Sequence, residues 1–356
     1  MKICLLVHGA EAFYSGEVAK VAEKLKNLGD IKIFVTGAIS RTAAIDEKIN
    51  LEFWKGLPST LLKSNEKDFD VFILLTYSKS AVSGYTYAKT VLERSKIKKP
   101  VLQLEISNKT AKIWNSKNFD FKDVLELLRF ELVDPDIEVK NFWKEGSREY
   151  RRVLAIEKGE LLLIDGLVVG RAKDEDVVIV AENGKIVEIR GLELKRHGIE
   201  KLMKKHEKID LEKIKVCSLR RFELKSVEAV KKKGFGVAFI DHSGYEVYDF
   251  AENCEGIVCV GDDTTFITSE ILFRFGKPVL GIVDGDLDIV INKKNVHPIS
   301  EIFITKHDDL AGEIVFKRVF CERNYVQQNF EEIRYKIMEL LKSSGLLIQR
   351  RKLSEI

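Results

Sequence analysis

The chain has 356 residues, of which 45% are hydrophobic, and its 59 basic and 56 acidic side chains leave a net charge of +3. This composition builds globular domains with sizeable cores, so it excludes disordered and collagen-like chains, and its balanced charge gives no field that calls for a nucleic-acid partner. No apolar run reaches the roughly 18 residues of a membrane helix. The opening Met1-Lys2-Ile3-Cys4-Leu5-Leu6-Val7-His8 is too short for a signal peptide and reads as a strand, so the expected location is the cytoplasm, with no membrane partner. Five cysteines without a CxxC pair argue against a disulfide framework and against a cysteine zinc site, leaving buried reduced thiols as the expectation.

Residues 1–107 repeat one pattern four times: a short Val/Ile/Leu run, a polar or Gly-containing turn, then an amphipathic stretch. The runs fall at 3–7, 31–35, 71–75 and 101–104. Val18, Val21, Ala22, Leu25 and Leu28 recur at spacings of three and four, which predicts a helix over 17–28. Near-continuous apolar strands alternating with helices indicate a parallel sheet covered on both faces. A further helix is expected at 121–132, and Asp134-Pro135 ends this first domain, 1–134.

Over 135–191 the period changes to short strands and tight turns. Asp165-Gly166 and Asn183-Gly184 are the turn signals of two hairpins, the second being the stronger. The βα alternation then returns, with strands expected at 214–217, 237–240, 257–260, 279–283 and 302–305 and helices near 224–233, 245–253, 265–275 and 309–319. The fold class that follows is α/β: two doubly wound, mostly parallel Rossmann-like domains (1–134 and 192–325) with a small antiparallel β module between them (135–191). A tail at 326–356 reads as a helix with a basic end.

Ligands of open parallel sheets bind at the carboxyl ends of the strands. In the second domain those ends are acidic: Asp241-His242, Gly261-Asp262-Asp263-Thr264-Thr265, Asp284-Gly285-Asp286-Leu287-Asp288 and Lys306-His307-Asp308-Asp309. Converging carboxylates repel unless a cation lies between them, and oxygen donors suit Mg²⁺ or Mn²⁺. Asp284, Asp286 and Asp262 are the expected metal ligands. The opening of the helix at Gly261, with Thr264 and Thr265, suits a phosphate, and Arg220 and Arg221, just past the strand at 214–217, would clamp its oxygens. His242, beside Asp241, is the candidate general acid or base. Asp and Thr in these positions are also ordinary helix caps.

In the first domain, Gly9 and Arg41 sit in small, hydroxyl-rich turns that suit an anion or a nucleotide phosphate. The basic stretch at 190–233 lacks interleaved aromatics and reads as solvated helix faces. No Walker A, GxGxxG, GxSxG or HExxH pattern occurs, and the loop from Asp284 lacks the Gly and Glu of an EF-hand.

Val7-His8-Gly9 with Ser15-Gly16-Glu17, the stretch from Arg41 to Asp46, His197-Gly198-Ile199-Glu200-Lys201-Leu202, Ile240-Asp241-His242, Gly261-Asp262-Asp263-Thr264-Thr265 and Asp284-Gly285-Asp286 together resemble an archaeal family of uncharacterised proteins, a domain of unknown function. The resemblance implies an archaeal, cytoplasmic protein and no activity. A looser similarity is to the Toprim fold, whose strand-end DxD holds Mg²⁺, although the glutamate that fold needs on an earlier strand is replaced here by Gly261-Asp262. The expected function is binding of a nucleotide or phosphorylated small molecule with Mg²⁺, with phosphoryl transfer or phosphoester hydrolysis as the fitting chemistry. The alternatives are a non-catalytic ligand sensor and a Toprim-like nucleic-acid enzyme.

Overall fold

The computed structural model describes residues 1–116, 119–135, 141–154, 156–165, 167–219, 224–229, 233–242, 246–284 and 295–356, with the side chains of 197, 217, 219 and 263 left aside. Two compact units emerge: residues Met1–Thr36 with Ile49–Glu223, and Gly37–Lys48 with Leu224–Ile356. Both are α/β, and antiparallel sheets accompany the first.

The strands of the first sheet are β1 (Lys2–His8), β2 (Asp30–Thr36), β3 (Glu52–Trp54), β4 (Val71–Thr76), β5 (Val101–Glu105), β6 (Thr110–Asn115) and β7 (Glu131–Leu132). They lie in the order β3-β2-β1-β4-β5-β6-β7. β1 through β5 pair in parallel, and β6 returns antiparallel to β5. β1, β4 and β5 are buried on both faces, as parallel strands require, and Cys4, Leu6, Phe72 and Leu74 share one core with Leu61, Leu62, Ala88 and Val91 of helices α4 (Pro58–Ser64) and α5 (Ala81–Ser95). Helices α1 (Ala10–Tyr14) and α2 (Glu17–Leu25) follow β1, and α2 buries the expected Val18, Val21, Ala22 and Leu25. The helix expected at 121–132 is shorter: α6 (Lys122–Leu128) stops where Arg129 turns left-handed (φ 60°), which frees the next residues to pair as β7.

The antiparallel part is larger than the sequence pattern suggests. One sheet is β13-β12-β9-β8, from β8 (Phe142–Glu145), β9 (Arg148–Arg152), β12 (Val178–Glu182) and β13 (Lys185–Arg190). The other is β14-β11-β10-β15, from β10 (Leu161–Ile164), β11 (Leu167–Ala172), β14 (Leu192–Leu194) and β15 (Val216–Leu219). Ile179 and Ala181 of the first sheet share a core with Leu162, Ile164 and Val169 of the second and with Leu202 of α7 (Arg196–Lys205). The turn between β12 and β13 has Asn183 (φ 53°) and Gly184 (φ 78°) both left-handed, the geometry for which Asn-Gly is selected. Arg151 is buried yet satisfied, since its guanidinium donates to the carbonyls of Leu211 (2.8 Å) and Ile214 (2.7 Å). This network fixes the approach to β15. The strand expected at 214–217 therefore does not open the second α/β sheet; it pairs antiparallel with β10. A short apolar run announces a strand but not its partner.

The second unit's sheet has the order β20-β16-β17-β18-β19-β21. β16 (Val237–Asp241), β17 (Gly256–Val260), β18 (Val279–Val283) and β19 (Glu301–Thr305) are parallel, while β20 (Tyr325–Val326) and β21 (Leu347–Lys352) are antiparallel edges. Alternation along β16 and β17 sends Val237, Phe239, Val258 and Val260 to a core with α10 (Asp308–Arg318) and α11 (Phe330–Ser343). Ala238, Ile240, Ile257 and Cys259 face α8 (Val247–Phe250), α9 (Asp262–Phe273) and Ala38 of α3 (Ala38–Asp46). Helices thus cover both faces. Three expectations change here. Helix α3 belongs to this unit although β2 precedes it; residues 224–229, expected to begin a helix, are not helical; and the basic end of the tail is the edge strand β21 rather than an extension of α11. Among the described cysteines Cys4, Cys254 and Cys259 are buried free thiols, whereas Cys321 is exposed. No helix among the described residues is long and apolar enough to cross a membrane.

Candidate functional site

In the second unit the connections leave the sheet on opposite faces. α9 follows β17 onto the side of α3 and α8, while α10 follows β19 onto the side of α11. The carboxyl ends of the strands, where both helices begin, are the edge at which sheets of this kind take their ligands. Its features come from three strand ends. β16 ends at Asp241, and His242 turns left-handed (φ 50°) directly after it. β17 ends at Gly261, whose φ of 92° starts α9. β19 leads through Lys306 and His307 into Asp308 and Asp309, the first two residues of α10.

These side chains meet. The Nδ1 atom of His242 is 2.5 Å from Oδ1 of Asp241, and its Nε2 is 3.7 Å from Oδ1 of Asp309. One ligand atom each from His242, Asp308 and Asp309 fall within 4.8 Å of one another. Burial alone would lower the imidazole pKa, but the hydrogen bond and charge of Asp241, with the carboxylates of Asp309 and Asp308, outweigh it and hold His242 above its ordinary value. Asp308 is 3% exposed and accepts the Asp309 amide at 2.9 Å, so it also steadies the positive end of α10.

Gly261 is required twice over. Its backbone is in a region that other residues enter only with strain, and a Cβ there would lie 2.8 Å from Nε2 of His242. The imidazole therefore sits directly over the glycine. The Gly261 amide donates to the carbonyl of Ile282 at 2.9 Å, and its carbonyl accepts both the amide (3.0 Å) and the hydroxyl (2.8 Å) of Thr265. Thr265 is fully buried and its hydroxyl is spent on this turn, so it shapes the loop rather than donating to a phosphate; Thr264 is buried as well. α10 comes close on the other face because Gly312 packs against Val260, where a Cβ would lie 2.7 Å from a valine methyl.

The sequence-derived candidates divide accordingly. Asp241, His242 and Gly261 come together, and Asp262 and Asp284 stand at the ends of the adjacent strands β17 and β18. Asp286, Arg220 and Arg221 lie outside the described residues. β15, which precedes the two arginines in the chain, belongs to the antiparallel sheet and not to the sheet that ends in Asp241 and Gly261. Arg41 lies on α3, which follows β2 in the chain but belongs to the second unit, and its guanidinium is 4.1 Å from the ring centre of Tyr248. Gly9 (φ 94°) serves a close approach, because a Cβ would lie 2.7 Å from the Tyr77 carbonyl. Lys79, at the neighbouring turn, is engaged by the buried Glu160. Asp308 and Asp309 complete the donor group; their place in the first turn of a helix gave them the signature of caps.

An imidazole nitrogen with two carboxylates is a mixed nitrogen and oxygen donor set, which suits Mn²⁺ and its heavier neighbours better than Mg²⁺. A carboxylate on the far nitrogen, as Asp241 provides, is the usual way a metal-binding histidine is held in orientation.

A family model described as an uncharacterized protein conserved in archaea matches residues 5–323. An uncharacterized protein of Methanocaldococcus jannaschii is 36% identical over 350 residues, covering 92% of this chain and 94% of its own length. No solved structure matches.

Proposed function

We propose that this chain, a member of the family of uncharacterized archaeal proteins that its match identifies, binds a divalent cation through His242, Asp308 and Asp309 and with it a phosphorylated small molecule or nucleotide. The observation that carries the reading is the convergence of the three donor atoms within 4.8 Å, over a glycine turn that begins α9. A cation would offset the repulsion of the two carboxylates. The ligand's phosphate would then meet the cation and the amides that open α9. Asp241 would keep the imidazole oriented, and Asp262 and Asp284 would face the rest of the ligand. If the bound ligand is turned over, the fitting class is phosphoryl transfer or phosphoester hydrolysis, in which positioning and charge neutralisation supply most of the acceleration.

Thermal unfolding with Mn²⁺ or Mg²⁺, alone and with pyrophosphate or a nucleotide panel, tests this. A cation held at about a hundred times its dissociation constant adds roughly 2.7 kcal/mol to stability. The expected result is a midpoint raised more by Mn²⁺ than by Mg²⁺, raised further by a phosphorylated ligand, and not raised in Asp309→Asn. A wild-type midpoint indifferent to both cations would overturn the reading. Binding without turnover would make the protein a sensor.

A further inference from the structure

Asn295 lies between β18 and β19 and is completely buried. Its Nδ2 donates to the carbonyl of Lys225 at 3.0 Å and to Oε2 of Glu270 on α9 at 2.9 Å. Two acceptors on the nitrogen side fix which way the amide points. Its Oδ1 is thereby left buried without a hydrogen-bond partner among the described residues. An acceptor in that position costs free energy unless a neighbour supplies a proton.

The groups around Glu270 leave it as the source. Arg274, one turn on, commits its Nε and Nη2 to Asp46 of α3 at 2.7 Å each and its Nη1 to the Glu270 carbonyl at 2.6 Å. Its closest approach to the Glu270 carboxylate is 3.7 Å. Lys225 gives its carbonyl to Asn295, and its ammonium pairs with Glu47. Glu270 is thus largely buried beside a guanidinium whose shorter contacts go to other acceptors, and it faces the negative charge of Asp46.

We propose that Glu270 carries a proton in the folded protein and donates it to Oδ1 of Asn295, closing a two-bond carboxyl–amide pair that latches Asn295 onto α9, and that the latch opens as pH rises. The proton stays on the pair, with Oε1–H to Oδ1 in one direction and Nδ2–H to Oε2 in the other; ionisation releases it to solvent and leaves one bond. Burial raises the Glu270 pKa from 4.5 to about 7, opposed by Asn295 and Arg274 and assisted by Asp46. Between those values the folded chain holds more protons than the unfolded one, so stability falls as pH rises through the window and levels off above it. None of these groups belongs to the proposed cation site.

Difference infrared spectroscopy of the whole chain, scanned over this pH window, tests it. The wild type should show a protonated-carboxyl band that fades toward about pH 7. Glu270→Gln should lack that band and keep both bonds as an amide–amide pair. Its stability should lose up to one proton's worth of pH slope. Asn295→Ala retains the carboxyl and should shift the midpoint of the band, which keeps the test decisive if Glu270→Gln does not fold. A wild type with no protonated-carboxyl band across the window, or a band and slope unchanged in Glu270→Gln, would refute the latch.

Discussion

Arg274 grips Asp46 through two parallel hydrogen bonds of 2.7 Å, although 228 residues separate them, and both side chains are only 4% exposed. This pair ties α3 into the second unit. A bidentate guanidinium–carboxylate contact is the strongest such geometry available, but removing one partner strands the other charge in a dry environment. Asp46→Asn should therefore cost about 3–5 kcal/mol in urea unfolding, whereas replacing both residues with apolar ones of similar volume should cost far less. Equal losses in the single and double variants would show that the pair is not what holds α3.

Beside that pair, Arg41 stacks on Tyr248, whose hydroxyl lies 2.6 Å from that of Thr42 and whose pKa burial pushes up to about 12. Arg41→Met keeps the apolar stem but loses the cation on the ring. A loss of about 1 kcal/mol is expected, with no change in affinity for pyrophosphate, since Arg41 is placed here as a structural residue. A weakened pyrophosphate affinity measured by titration calorimetry would return it to the binding edge.

Gly261→Ala meets both obstacles at once: a backbone angle of 92° and a Cβ 2.8 Å from Nε2 of His242. The backbone strain alone is worth about 1–3 kcal/mol. The imidazole must also move off the turn, so cation binding should be lost together with stability. Measuring both in the same variant separates the effects, because Gly256→Ala, which crowds Phe330 at the far end of β17 with a Cβ 2.4 Å from its ring, should destabilise without displacing His242.

His8 ends β1 with its ring stacked on Tyr87 at 3.8 Å between centres, and burial lowers its pKa to about 4. Here the unfolded chain binds the extra proton. Stability is therefore lost as pH falls from about 6.5 toward about 4, the reverse of the direction expected for Glu270. His8→Phe preserves a ring for the stack and should flatten the acid side of the stability profile by up to about 3 kcal/mol, less whatever solvent screening takes from a partly exposed residue. Chemical denaturation at stepped pH reads this directly.

Much of the local structure was legible in the sequence because its causes are local. Ile3 to Val7 and Val279 to Val283 are apolar at every position, and only a strand buried on both faces uses such a run. Asn183-Gly184 could be read as a turn because few other pairs enter two successive left-handed conformations. Gly261 followed by Asp262 and the two threonines announced a helix opening at a strand end, and Asp241-His242 announced a neighbour for it. These readings depend on residues within a few positions of each other.

Partners distant in the chain were decided by the tertiary structure. Nothing around Val216 distinguishes a strand bound for a parallel sheet from one that pairs antiparallel with Leu161–Ile164, and the choice rests on cores assembled from many segments. α3 carries the same amphipathic pattern whichever unit it joins; the buried guanidinium of Arg274 and the ring of Tyr248 assign it. Asp308 and Asp309 look like caps until the fold brings the His242 nitrogen to them. Sequence pattern reports which faces must be buried, whereas the three-dimensional packing determines what buries them, and a site made of groups from three strand ends exists only after that packing is complete.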